Sequence, residues 1–247
     1  ELKPLTRGRS TLNLPPLRDA PGEAEGPINP PLTFRLKLDA AHPYLAERGV
    51  SLEIAEAFAR LAESGHRPRR TVVFALWNAE EHGLLGSQEF ADELAAHGRR
   101  AAAVLNLDMI GRDEHVPAGD RRFNGLAPTP ASRNRNTLHL LGHTYSPQLL
   151  AIAREENAET RLTLRTVLDE GPHRLVRRSD HWPFLQARTP ALFFFTGLHP
   201  DYHTPDDDVE RLNVEKMTRV VRLAYRVAWR VADAPAPPAF VDPPSPE

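Results

Sequence analysis

Between its ends the chain alternates two kinds of hydrophobic pattern. Short apolar runs rich in β-formers recur at Thr71–Trp77 (TVVFALW), Ala101–Leu107 and Pro190–Thr196 (PALFFFT). Such unbroken runs are expected of strands covered on both faces. Thr33–Leu38 alternates apolar and polar positions like a half-buried strand, and Arg161–Val167 is strand-like. Helical spacing appears between them. Ser51 is positioned to cap a helix to about Ser64, with Ile54, Phe58 and Leu61 on one face. Further helices are predicted from Gly83 to His97, from Pro147 to about Asn157 and over Ser179–Gln186. Val214, Met217, Val221, Ala224, Ala228 and Val231 mark one face of a long C-terminal helix. The stretch from Glu114 to Ser146 is polar and reads as a surface excursion.

This strand–helix order predicts an α/β fold, a mainly parallel central sheet with helices on both faces. Proline, 24 residues in all, gathers at the two ends. Residues 1–32 read as an irregular segment, 33–232 as the folded domain, and 233–247 as an extended, flexible tail.

Composition narrows the chemistry. The chain has 247 residues, 31 basic and 33 acidic, a formal net charge of -2, and gives no electrostatic reason to expect nucleic acid or an anionic membrane as partner. No apolar run reaches the roughly 18–20 residues that a membrane-spanning helix requires. Cysteine is absent, so any metal must be held by His, Asp and Glu. The chain begins at Glu1 and shows no signal-peptide pattern, as expected of a processed mature chain or a fragment.

In open α/β sheets functional groups gather beyond the carboxyl ends of the strands. Three of the apolar runs lead there into acidic or imidazole side chains. Thr71–Trp77 runs into Asn78-Ala79-Glu80-Glu81-His82-Gly83, Ala101–Leu107 into Asp108, and Pro190–Thr196 into His199 and then Tyr202-His203-Thr204-Pro205-Asp206. Carboxylates and imidazoles are the ligands of catalytic zinc. Of two adjacent carboxylates, one can ligate a metal while the other takes a proton from its water. Each feature also has a plain structural reading. The Glu80-Glu81 pair suits a solvated helix start, Asp108 a cap or turn, and His203 an exposed loop.

Four stretches in order carry a resemblance: Ala79-Glu80-Glu81-His82-Gly83-Leu84-Leu85-Gly86-Ser87, Asn106-Leu107-Asp108-Met109-Ile110-Gly111-Arg112, Ser179-Asp180-His181-Trp182-Pro183-Phe184 and Tyr202-His203-Thr204-Pro205-Asp206. They resemble the zinc-dependent aminopeptidases, the family of bacterial leucyl aminopeptidases, related to glutamate carboxypeptidase, transferrin receptor and glutaminyl cyclase. The similarity runs from about residue 51 to residue 232.

The resemblance implies a zinc-exopeptidase fold and hydrolysis of the N-terminal residue from a peptide substrate. It implies Glu80 as general base, Glu81 and His203 as ligands of one zinc, and Asp108 as a ligand of a second. Asp180, His181 and Tyr202 are implied as substrate-binding or supporting groups. Export to the periplasm or outside is the expectation that accompanies it.

The chain departs from the family in one segment. A His-x-Asp motif and a metal-bridging Asp are expected before the first helix. Here the chain passes from Lys37-Leu38-Asp39 through His42-Pro43 to Ser51 without them. Asp39 and His42 are the nearby substitutes. The sheet is accordingly expected to lack a central strand, and zinc to be bound weakly, zero or one ion in place of two. The functional readings are thus an aminopeptidase, an inactive relative that keeps the fold for binding, a truncated product, or a glutaminyl-cyclase-like transferase, whose chemistry also needs the bridging Asp.

Overall fold

A computed structural model describes residues 64–169 and 173–243. The strand expected at Thr33–Leu38, the helix from Ser51, and Asp39 and His42 lie outside them.

Four strands form one sheet: β1 (Val104–Leu107), β2 (Thr137–Leu141), β3 (Thr163–Arg165) and β4 (Ala191–Phe195), in the order β1-β4-β2-β3. β1 pairs with β4 and β2 with β3 in parallel, while β2 runs antiparallel to β4. Among the described residues four helices accompany the strands: α1 (Leu85–Ala96), α2 (Pro147–Thr160), α3 (Trp182–Gln186) and α4 (Val214–Asp233). Successive side chains of a strand point to opposite faces. Leu138, Leu140, Leu192 and Phe194 therefore pack on one face against Leu149 and Ala153 of α2 and Val220, Leu223 and Val227 of α4. Leu141, Phe193 and Phe195 pack on the other, with Leu185 of α3. Helices cover both faces, as the sequence pattern predicts.

Three expectations are corrected. Thr71–Trp77 is in no strand, and Val73, Phe74 and Leu76 stand 65%, 52% and 49% exposed. A β-former run becomes a strand only where a neighbour takes up its backbone hydrogen bonds. The described part of the sheet ends at β1, whose pairing is with β4. Trp77 at the end of the run packs against Phe90 and Phe184. For the same reason the run Ala101–Leu107 yields a strand only from Val104, and Leu107 is 37% exposed. The polar stretch from Glu114 to Ser146, read as an excursion, contains β2, buried along its whole length at the centre of the sheet. The polar member His139 has the Glu114 carboxylate beside it, with Oε1 3.2 Å from Nε2.

The described part of the C-terminal segment runs over the domain surface. Beyond α4, Ala239 N–H donates to Gln148 Oε1 at 2.7 Å and Val241 N–H to the Tyr145 carbonyl at 2.9 Å. Arg188 pairs with Asp242 and lies over the Phe240 ring. The prolines leave few backbone donors, and those named are used to strap the tail onto the domain.

Asp169 ties the segment after β3 to the end of β2. It accepts from Gly142 N–H at 2.7 Å and from the Thr144 N–H and hydroxyl at 3.0 and 2.9 Å, and His143 Nδ1 lies 2.8 Å away. Burial works to raise its pKa, but His143 and the Thr144 and Gly142 N–H groups outweigh it and hold the carboxyl below its ordinary value. A depressed folded value stabilises the native state above the unfolded pKa of about 3.9, and that stability is lost as pH falls through the folded value. Asp169→Asn is expected to cost about 1–3 kcal/mol near neutrality. In urea melts across pH, its deficit against the parent should close on the acid limb. A deficit that persists unchanged there would show that shape, and not charge, sets the contribution.

Candidate metal and proton-transfer site

The sequence-predicted residues converge from four segments. After Trp77 the chain turns sharply. Ala79 takes a left-handed φ of 56°, and Gly83 and Leu84 N–H groups donate to the Glu80 carbonyl at 3.0 and 2.9 Å. A side chain at Gly86 would stand 2.8 Å from the Asn78 carbonyl oxygen, so only glycine permits this return. Glu80 and Glu81 thus lie in the turn ahead of α1, not in its first helical turn. The helix-start reading fails in position, while Glu81 is solvated as it expects, with its side chain 66% exposed.

Asp108 leaves the end of β1. The Ser179 hydroxyl donates to its Oδ2 at 2.8 Å, and Asn106 Nδ2 donates to the Ser179 oxygen at 2.7 Å. From the loop after β4, His203 Nε2 reaches Glu81 Oε1 at 2.7 Å, across 122 positions of sequence. His203 adopts a φ of 57°, and its ring stacks on Tyr202 at a centroid distance of 3.8 Å.

These carboxylates are close enough to act on one another's charge. Burial raises the Glu80 pKa to about 7, with Asp108, Glu81 and Asp180 adding to the rise. Asp108 is raised by burial against the Ser179 hydrogen bond, with Asp180 and Glu81 raising it further. Asp180 is raised by burial and restrained by Ser87. Tyr202 is raised by burial and by Glu81, Glu80 and Asp108, with Arg178 opposing, so its hydroxyl stays protonated. Glu80, Glu81, Asp108, Asp180, Tyr202 and His203 therefore form one cluster. His181 is turned elsewhere. Its ring is wholly buried 4.9 Å from Phe193, and burial pushes its pKa down to about 3, keeping it a neutral core side chain.

Several contributors carried no local signal. Ser179, Asn106 and Ser87 stand inside the quoted stretches, but serine and asparagine are common surface residues. Tertiary packing gives Ser179 the Asp108 carboxylate, Ser87 the Asp180 carboxylate, and Asn106 the Ser179 oxygen.

The model of peptidase family M28 matches residues 48–228. The chain belongs to peptidase family M28. It is 30% identical over 218 residues to a probable zinc metalloprotease of Phaeosphaeria nodorum, covering 78% of this chain and 42% of that protein. A probable glutamate carboxypeptidase of Arabidopsis thaliana is 31% identical over 162 residues, covering 64% of this chain and 21% of that protein. The chain thus spans less than half the length of either. Among solved structures, LapB from Legionella pneumophila matches with a TM-score of 0.55 at 19% identity, covering 72% of this chain and 44% of that one, a likeness of fold.

The names of such relatives turn attention to zinc, and the donor set can be tested against it. Carboxylate oxygen and imidazole nitrogen are suitable in kind. They fall short in number. Glu81 and His203 meet each other directly, and among the described residues no group of three or more His, Cys, Asp or Glu is placed to hold a metal ion. A catalytic zinc ordinarily takes three protein ligands. The described residues therefore do not complete a zinc site. They bring an acidic group of side chains together, with Glu81 and His203 in direct contact at its exposed side.

Proposed function

We propose that this M28 chain is a zinc-dependent aminopeptidase-like hydrolase that removes N-terminal residues from peptides, with Glu80 taking and returning the proton. The observation that supports this best is Glu80 itself. It is a carboxyl held near pH 7 by burial and by Asp108, Glu81 and Asp180. At neutral pH such a group is found both protonated and ionised, which suits one that must accept a proton from water and pass it to a leaving amine. The surrounding carboxylates favour the α-ammonium of a peptide N-terminus by simple attraction. The protonated Tyr202 hydroxyl is available as a hydrogen-bond donor to a substrate oxygen. Export beyond the cytoplasm is part of the same proposal, supported by the family resemblance alone.

One observation favours a second reading, a catalytically impaired family member. Glu81 and His203 are each other's partners, and no three-ligand group is present among the described residues. One sample separates the two readings. Zinc content after dialysis is measured together with aminoacyl-p-nitroanilide hydrolysis. Retained, near-stoichiometric zinc with turnover is the result expected of the enzyme. A protein that keeps no zinc and turns over no substrate would establish the impaired reading.

A further inference from the structure

Arg112 is a positioning residue for His203: we infer that its guanidinium, clamped between Asp201 and Asp207, is what carries His203 to Glu81. This rests on the reading of His203 as a site residue.

The loop that bears His203 is held on its N-terminal side by Arg122, which donates to the Pro200 carbonyl at 2.8 Å, and by Arg211, 2.8 Å from Asp201 Oδ2. Residues 200–206 are a succession of turns without helix or strand, and His203 is 53% exposed. Its left-handed φ of 57° is sparsely populated by residues other than glycine, and such a conformation persists only where surrounding contacts determine it. The contacts internal to the loop, such as Thr204 N–H to the Asp201 carbonyl at 2.9 Å and the Thr204 hydroxyl to the same oxygen at 2.7 Å, shape the turn. They do not aim it at a segment more than a hundred residues away.

Arg112 does reach it from outside, on both sides of His203. Nη2 lies 2.5 Å from Asp201 Oδ2, and Nη1 pairs with Asp207 Oδ1. The Arg112 side chain is only 13% exposed, so the pair is shielded from solvent more than an ordinary surface bridge. The segment that presents it is itself fixed. Thr196 donates its N–H and hydroxyl to the Met109 carbonyl at 3.2 and 2.7 Å, and Asn213 N–H donates to the Gly111 carbonyl at 2.7 Å. A Cβ at Gly111 would lie 2.6 Å from Leu212 Cδ2, so the segment is seated against the chain beyond the loop. Asp108 leaves β1 on this same segment. One guanidinium thus links the strand end that bears Asp108 to the loop that bears His203. A planar fork can hold two carboxylates at once, which a lysine ammonium on a flexible stem does poorly.

The test reads the His203 imidazole directly, in the full chain with neither metal nor substrate present. Among the eleven histidines of a 13C-labelled sample, the His203 ring line is assigned by its loss in His203→Gln. In the parent, Glu81→Gln should shift that line, because Glu81 is its partner. In Arg112→Lys the line should already be displaced, and adding Glu81→Gln should no longer move it, while the melting temperature of the domain stays near the parent's. Arg211→Lys, which alters only the contact to Asp201, should keep the parent response. Should Arg112→Lys fail to fold, Asp207→Asn removes one prong alone and is read in the same way. A full Glu81→Gln response surviving in Arg112→Lys would overturn the inference, as would a parent line indifferent to Glu81. Absence of zinc or of turnover would count against the proposed activity and leave this result standing.

Discussion

Glu80→Gln should abolish most turnover, lowering aminoacyl-p-nitroanilide hydrolysis by about 10²- to 10⁴-fold, the usual contribution of a positioned acid–base group. Glutamine keeps the shape of glutamate and its capacity to accept a hydrogen bond, but it cannot carry a proton between water and a leaving amine. The loss should therefore fall on the chemical step. Glu80 lies among Asp108, Glu81 and Asp180, and removing its charge relieves repulsion among them. The fold should be as stable as the parent or slightly more so, and zinc content should not fall. Glu81→Gln is the contrast: it removes the partner of His203, and metal retention should drop with activity. A Glu80→Gln protein that kept more than about a tenth of the parent rate would assign the proton to another group.

Phe194→Ala should be the most damaging core substitution, costing about 3–5 kcal/mol of folding stability. Phe194 is wholly buried in β4, and β4 is held on both edges, by β1 at Leu107 and by β2 at Leu140. Its ring belongs to the cluster with Leu149, Val220, Leu223 and Val227 from α2 and α4. Strands paired on both edges cannot move inward to fill the space, and each helix is committed to the other across the same face. The cavity therefore stays open, which puts the cost at the upper end for a large-to-small change. Against a total stability of about 5–15 kcal/mol, such a loss leaves little margin. Denaturant melts would measure it. A change below about 1 kcal/mol would mean that the helices close over the gap.

The site was more legible in sequence than the sheet that presents it. Glu80, Glu81, Asp108, Asp180 and His203 each sit in a short stretch whose residue order marks it, and the structure joins His203 to Glu81 and sets Glu80, Asp108 and Asp180 within electrostatic reach of one another. His181 stands in the same stretch as Asp180 but faces Phe193, because neighbouring residues at a helix start point in different directions and nothing local says which way is inward. Arg112 and Ser179 became informative only when their partners, 89 and 71 positions away, were known.

Local pattern determined the elements whose stability is local or whose burial is one-sided. α4 shows this in its extent and in the Asn213 side chain accepting from Lys216 N–H at its start. Its buried face, however, is Val220, Leu223, Ala224, Val227 and Val231, turned from the stripe the pattern names, and Val214 is 58% exposed. Pattern also determined the family, since ordered motifs survive whatever the sheet does. Only the tertiary structure decided which apolar runs are strands. Thr71–Trp77 has the stronger β composition and is outside the sheet, whereas Thr137–Leu141, with a histidine at its centre, is a central strand. The physical reason is that a strand is a property of a pair. β-propensity makes a segment fit a pleated surface, but hydrogen bonds to a neighbour and side chains above and below it supply the stability. Those neighbours come from distant parts of the chain, where a window along the sequence does not look.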